Sequence, residues 1–193
     1  MQIVLENIDW MIINLALAML GFIFGWLFFY TKKRILSFTF FILWVIFIPN
    51  SVYLVTDLQH LPEQWVEVSL LAKLLLLVEY GLLAFLGVVT FIVSMYPVDK
   101  IFSEFNLKRK NSLKLSILIL VNLFIAFALI LGKFQRTHSW YIFTDFSRVI
   151  LDIATVFKTP ILLALVFFFG IVINLTYFGF KNIIHISLNK RGR

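Results

Sequence analysis

The chain has 193 residues, 62% of them hydrophobic and only 14% charged, with 23 phenylalanines and no cysteine. That composition excludes a soluble globular domain, and the missing thiols exclude disulfides, thiolate metal sites and cysteine nucleophiles. The net charge of +7 is spread over short segments between apolar runs, which argues against nucleic acid as a partner and for a role in membrane topology.

Residues 1–9 are acidic and lack the basic opening of a signal peptide, and the apolar run behind them has no small-residue cleavage pattern. A retained span is therefore expected. A crossing needs about 20 apolar residues to cover roughly 30 Å of hydrocarbon. Five stretches qualify: residues 11–30, 35–55, 69–96, 113–131 and 161–180.

The second stretch reaches that length only by continuing through Pro49. Proline cannot donate to the helical ladder, and its ring crowds the carbonyl four residues back, at Val45, so a kink is predicted there. Beyond the kink stand Asn50, Tyr53, Asp57 and His60. At 100° per residue they fall at about 0°, −60°, −20° and −80°, one stripe roughly 80° wide. A polar stripe closing an otherwise apolar segment reads as a ligand-binding surface. The turn after it carries Glu63, Trp65 and Glu67, and tryptophan suits a membrane interface.

The third stretch contains two charges. Lys73 is close enough to its end to snorkel. Glu79, about ten residues in, is expected some 15 Å deep. An ionisable group there costs about 2.5–3.5 kcal/mol even on lenient scales, so it should face other helices, with Asn122 of the fourth stretch as its expected partner. Pro97 is expected to close the third helix.

The fourth connection opens with Gly132-Lys133-Phe134-Gln135-Arg136-Thr137-His138-Ser139-Trp140. Lys133 and Arg136 sit where the charge distribution otherwise disfavours cations, and Asp57 and Glu67 are their expected counter-charges, or else a ligand's phosphate or carboxylate. Ser139 and Trp140 complete this motif. Residues 144–158 then place Phe146, Val149, Ile150, Ile153, Val156 and Phe157 on one helical face. An amphipathic interfacial helix is predicted, capped by Thr144 and ended by Pro160. It could serve as a lid. Asn174 in the fifth stretch is expected to bond a neighbouring helix.

Basic residues set the orientation. Lys32, Lys33, Arg34, Lys100, Lys108, Arg109, Lys110, Lys114, Lys181, Lys190, Arg191 and Arg193 follow the odd-numbered spans, so they share one side. The positive-inside rule makes that side cytoplasmic, with the N-terminus out and the C-terminus in. The polar stripe and the fourth connection then both face outward. The expected fold is all-α and membrane-integral: one domain of five transmembrane helices in the cell membrane, with the amphipathic helix on the outer side.

Two motifs carry a family resemblance. The segment Pro49-Asn50-Ser51-Val52-Tyr53-Leu54-Val55-Thr56-Asp57-Leu58, followed by His60-Leu61, is similar to P-N-[AS]-x-Y-[LI]-x-T-D-L-x-H-L. Gly132-Lys133-Phe134-x-Arg136-x-x-Ser139-Trp140 is similar to G-R-F-x-R-x-N-S-W-D. Together they resemble an uncharacterised bacterial membrane-protein family, domain of unknown function 1361. Lys133, His138 and Tyr141 depart from that pattern, which has arginine, asparagine and aspartate there. Members often carry a further N-terminal span. The resemblance implies no established activity, only that these polar residues form the family's site.

Three function classes compete. The first is a binding or transport component for a polar or anionic ligand such as a lipid headgroup or small solute. The second is a membrane hydrolase or transferase in which Asp57, His60 and His138 hold a metal or His60 activates Ser139. No familiar metal or nucleophile motif supports it, and no cofactor is implied. The third is a structural subunit that staples helices beside a membrane-protein partner.

Overall fold

A computed structural model describes residues 2–66, 68–104 and 111–190. It is built of helices: α1 (Gln2–Tyr30), α2 (Arg34–Phe47), α3 (Pro49–Thr56), a 3₁₀ turn (Asp57–His60), α4 (Leu61–Trp65), α5 (Leu70–Glu104), α6 (Asn111–Phe134), α7 (Tyr141–Thr144), α8 (Phe146–Lys158) and α9 (Pro160–Lys190). Among the described residues five segments are long and apolar enough to cross a membrane: Ile3–Tyr30, Arg34–Trp65, Leu70–Ile101, Leu113–Phe134 and Pro160–Asn182. The chain is an all-α, multi-pass membrane protein. It divides into two compact units, Met1–Ser94 and Met95–Arg193.

In the first unit α1 packs along α2 and α3. Close approach is permitted by Gly21, where an added Cβ would stand 3.0 Å from the Ile48 backbone, and by Gly87, where it would stand 2.8 Å from the Ser51 carbonyl oxygen. Between lipid-like surfaces such backbone contact supplies the packing that hydrophobicity cannot. The Trp44 indole, fully buried, donates to Ser94 Oγ at 2.9 Å, and Ser94 in turn donates to the Gly21 carbonyl at 3.1 Å. The helical break falls at Ile48, as Pro49 requires, and Ser51 N–H donates to Ile48 three residues back at 3.1 Å. Asn50 Nδ2 caps the adjoining Phe47 carbonyl at 2.9 Å.

Two helix limits differ from expectation. The first helix starts at Gln2 rather than near Met11, because Asn7 is buried against amide partners and need not lie in water. The third does not stop at Pro97; α5 carries that proline inside and continues to Glu104. Its continuation is held by Asp99, which is buried against side chains of α6 and α9.

In the second unit α6 and α9 lie against one another, and α8 packs on both. Asn122 Nδ2 donates to Asn174 Oδ1 at 3.0 Å, and Asn174 Nδ2 donates to the Gly170 carbonyl at 2.8 Å. Amide pairs of this kind hold helices together in a membrane. Val149 and Val156 form the buried edge of α8, whereas Phe146, Ile150 and Phe157 are exposed. The cap of α8 is Asp145, whose carboxylate accepts from Arg148 N–H at 3.2 Å. Thr144 instead ends α7, its hydroxyl donating to the Trp140 carbonyl. Thr159 ends α8 in an extended conformation and Pro160 opens α9, since proline drives its predecessor out of the helical region and suits a first helical turn.

Candidate functional site

Within the first unit, four helical elements contribute polar side chains to one region. From α1 come Asn7, Trp10 and Asn14, spaced so that they lie on one stripe at about 0°, −60° and −20°. The 3₁₀ turn and α4 supply Asp57, His60 and Gln64, and α5 supplies Glu79 and Tyr80.

Asn7 and Gln64 exchange amide hydrogen bonds: Asn7 Nδ2 donates to Gln64 Oε1 at 2.8 Å and Gln64 Nε2 returns to Asn7 Oδ1 at 2.9 Å. Trp10 Nε1 also donates to Asn7 Oδ1 at 3.1 Å, and Tyr80 OH donates to Gln64 Oε1 at 3.2 Å. The second amide hydrogen of Asn7 serves Glu79. Both donors and both lone pairs of Asn7 are thus engaged, which lets it sit 2% exposed among apolar side chains.

Asp57 is 1% exposed and accepts from Asn14 Nδ2 at 3.0 Å. A 3₁₀ turn has three residues per revolution, which brings Asp57 and His60 onto one line. His60 is half-buried, with its ring edge-on to Trp10 at 6.0 Å, its Nδ1 3.9 Å from Glu63 and its Nε2 3.3 Å from the Gln59 amide. At the rim the Lys73 ammonium lies 5.6 Å from the centre of the Trp65 ring.

The second unit presents its own cluster after α6. Arg136 takes the left-handed conformation, φ 54°. That turn sends Thr137 N–H back to the Leu131 carbonyl at 3.2 Å, where Gln135 N–H also donates at 3.1 Å. The conformation costs a non-glycine residue about 1–2 kcal/mol. The arginine side chain is exposed, and Lys133 precedes it in the last turn of α6.

Next to them His138 stacks flat on Trp140, centroids 4.4 Å apart, with Tyr141 edge-on at 5.2 Å. The Arg148 guanidinium lies 4.8 Å from the Tyr141 ring centre. Thr137 Oγ1 donates to Asp152 Oδ2 at 2.6 Å, tying the loop to α8. Partial desolvation by the ring stack, and then the nearby Arg148 charge, holds the His138 imidazole below its ordinary pKa. It therefore favours the neutral ring.

Of the residues singled out from sequence, Asp57, His60 and Glu79 join the network of the first unit, and Lys133, Arg136, Ser139 and Trp140 belong to the cluster of the second. Asn50 is half-buried and its amide serves the Phe47 carbonyl, while Tyr53 is half-buried one turn before Asp57. Glu67 lies outside the described residues. Within its own unit Glu79 receives the Asn7 amide, and Asn122 within the other donates to Asn174. Among the described residues no three His, Cys, Asp or Glu side chains gather to hold a metal ion.

Asn7, Trp10, Asn14, Gln64 and Tyr80 are absent from the sequence-based site. Their signal was the i, i+3, i+7 spacing in α1, repeated by Asp57, His60 and Gln64. The continuous apolar run begins only at Met11, so hydropathy alone leaves Asn7 outside the first span.

The second unit also holds a further polar knot. Asp99, fully buried, receives Lys114, Lys181 at 3.0 Å and the Tyr177 hydroxyl at 2.7 Å, joining α5, α6 and α9 within the second unit.

Residues 13–176 match the model of a family described as "Protein of unknown function (DUF1361)". No curated protein and no solved structure matches the chain.

Proposed function

The chain belongs to the DUF1361 family of proteins of unknown function, and from that premise we propose that it binds, and passes across or within the membrane, a polar or anionic ligand such as a lipid headgroup or small solute. The observation that carries this reading is Arg136. A charged side chain occupies a left-handed backbone position that glycine would fill without strain. Backbone strain of this kind is commonly stored where a side chain must be presented at a fixed place.

Arg136 and Lys133 supply the charge for an anion, a planar guanidinium suiting a phosphate or carboxylate. Ser139 adds a hydroxyl, and the His138–Trp140 stack offers an aromatic wall. Asp57 and His60, with Asn50 and Tyr53 on the same segment, form a separate polar face within the first unit. The basic residues that follow the odd-numbered spans support an outward placement of Lys133 and Arg136.

A second reading is favoured by the burial of Asp57 and its bond to Asn14. There the polar residues staple helices of a structural subunit.

Native mass spectrometry and thermal unfolding of the purified chain, Asp57→Asn and Arg136→Gln separate the two. Loss of a co-purifying lipid or solute from the Arg136 variant, with its melting temperature unchanged, supports binding. No bound species and parallel destabilisation of both variants support the staple. Because the chain has no cysteine, single cysteines at positions 63 and 137 can be tested with a membrane-impermeant maleimide. Labelling of both in intact cells is the expected result for an outward site.

A further inference from the structure

Glu79 is used by neither reading. It lies in α5 within the candidate span Leu70–Ile101, and its Oε2 is buried without a hydrogen-bond partner, although the carboxyl receives the Asn7 amide. The groups of the network it joins are mostly neutral or acidic. From α1 they are Asn7 and Trp10; from α4, Gln64, with Asp57 and Glu63 acting on the neighbouring Tyr80 and His60 edge-on to Trp10. From α5 they are Tyr80 and, nearer the helix start, Lys73, whose ammonium is drawn to the Trp65 ring. Among the described residues Glu79 makes no ion pair.

An ionised carboxylate in this setting would keep its charge inside the candidate span, on a half-buried residue with one shielded oxygen unsatisfied, an arrangement that costs free energy. Two ligands could relieve it: a metal cation or a proton. A hard cation gathers several oxygens, yet the amide oxygens beside Glu79 are already spent. Asn7 Oδ1 accepts from Gln64 and Trp10, and Gln64 Oε1 accepts from Asn7 and Tyr80. A proton needs only one of the vacant lone pairs on Oε2.

We propose that Glu79 is a proton-binding site within the membrane, its carboxylate taking a proton from hydronium onto Oε2 and leaving water. The Asn7–Gln64–Tyr80 network holds the neutral acid by donating to its other face. The site does not depend on the ligand reading above, because it is loaded by solvent protons alone.

The test uses the full chain, purified in detergent at neutral pH, with dicyclohexylcarbodiimide, an apolar reagent that modifies protonated carboxyls. The expected adduct maps to Glu79 by peptide mass spectrometry, is unchanged by sodium and falls about tenfold per pH unit above the titration midpoint. Infrared spectroscopy, which needs no reagent access, should show a protonated-carboxyl C=O band that disappears in Glu79→Gln. That variant copies the neutral acid and should keep the wild-type melting temperature. Absence of both the adduct and the band at neutral pH overturns the proposal. Protection of the adduct by sodium overturns it in favour of a metal cation.

Discussion

Asn7 and Gln64, 57 positions apart in the chain, exchange both of their amide hydrogen bonds, at 2.8 Å and 2.9 Å. This pair binds the start of α1 to α4, and Trp10, Tyr80 and Glu79 are oriented around it. A buried amide of this kind stabilises only while its partner remains.

Replacing either member alone by leucine should therefore destabilise the protein more than replacing both. The expected coupling in a double-mutant cycle of thermal or denaturant unfolding is about 0.5–2 kcal/mol. Additive losses would mean that the pair is incidental.

Arg136→Gly should raise stability by about 1 kcal/mol, because glycine enters the left-handed region without the Cβ clash. On the binding reading it should at the same time lose the anionic ligand. Opposite movements of melting temperature and bound mass would be the signature, since a merely structural arginine would not give stability and binding changes of opposite sign.

Asp99 gathers Lys114, Lys181 and Tyr177 while fully buried. Asp99→Ala leaves two ammonium groups facing one another and should cost about 3–5 kcal/mol. The combination Asp99→Asn, Lys114→Met and Lys181→Met removes every charge of the knot. It should recover most of that loss in a thermal-unfolding comparison.

His138 gives a pH prediction whose sign follows from its lowered pKa, caused by partial desolvation and then by Arg148. The unfolded chain binds the proton more readily, so acid favours unfolding. Stability should be full above the ordinary histidine value of about 6.5. It should decline as pH falls through that value, and level off only below the lowered value in the folded state. His138→Gln should flatten this part of the profile of melting temperature against pH.

Much of the architecture is legible in the sequence because each rule is local. Runs of apolar residues mark the spans, Pro49 marks the break, and the period of Phe146 to Phe157 marks α8. Individual limits were less legible. Pro97 reads as a stop only until Asp99 is seen held by α6 and α9, and Thr144 reads as a cap only until Asp145 is seen accepting from Arg148.

The candidate site was half legible. The stripe of Asp57 and His60 is visible in one helix, but its partners Asn7, Trp10 and Asn14 share a face of another. Nothing in either helix alone says that the two faces meet.

The sequence by itself determined that this chain is a five-span membrane protein, where its second span breaks and which residues share a helical face, since length, hydropathy and a period of about 3.6 residues are properties of each segment alone. Only the tertiary structure decided which faces meet: Asn7 with Gln64, Asn14 with Asp57, Trp44 with Ser94, Asn122 with Asn174. Lipid and a neighbouring helix are equally apolar, so hydropathy cannot choose between them. The choice falls to close backbone approach at residues such as Gly21 and Gly87, and to the need of every buried polar group for a partner.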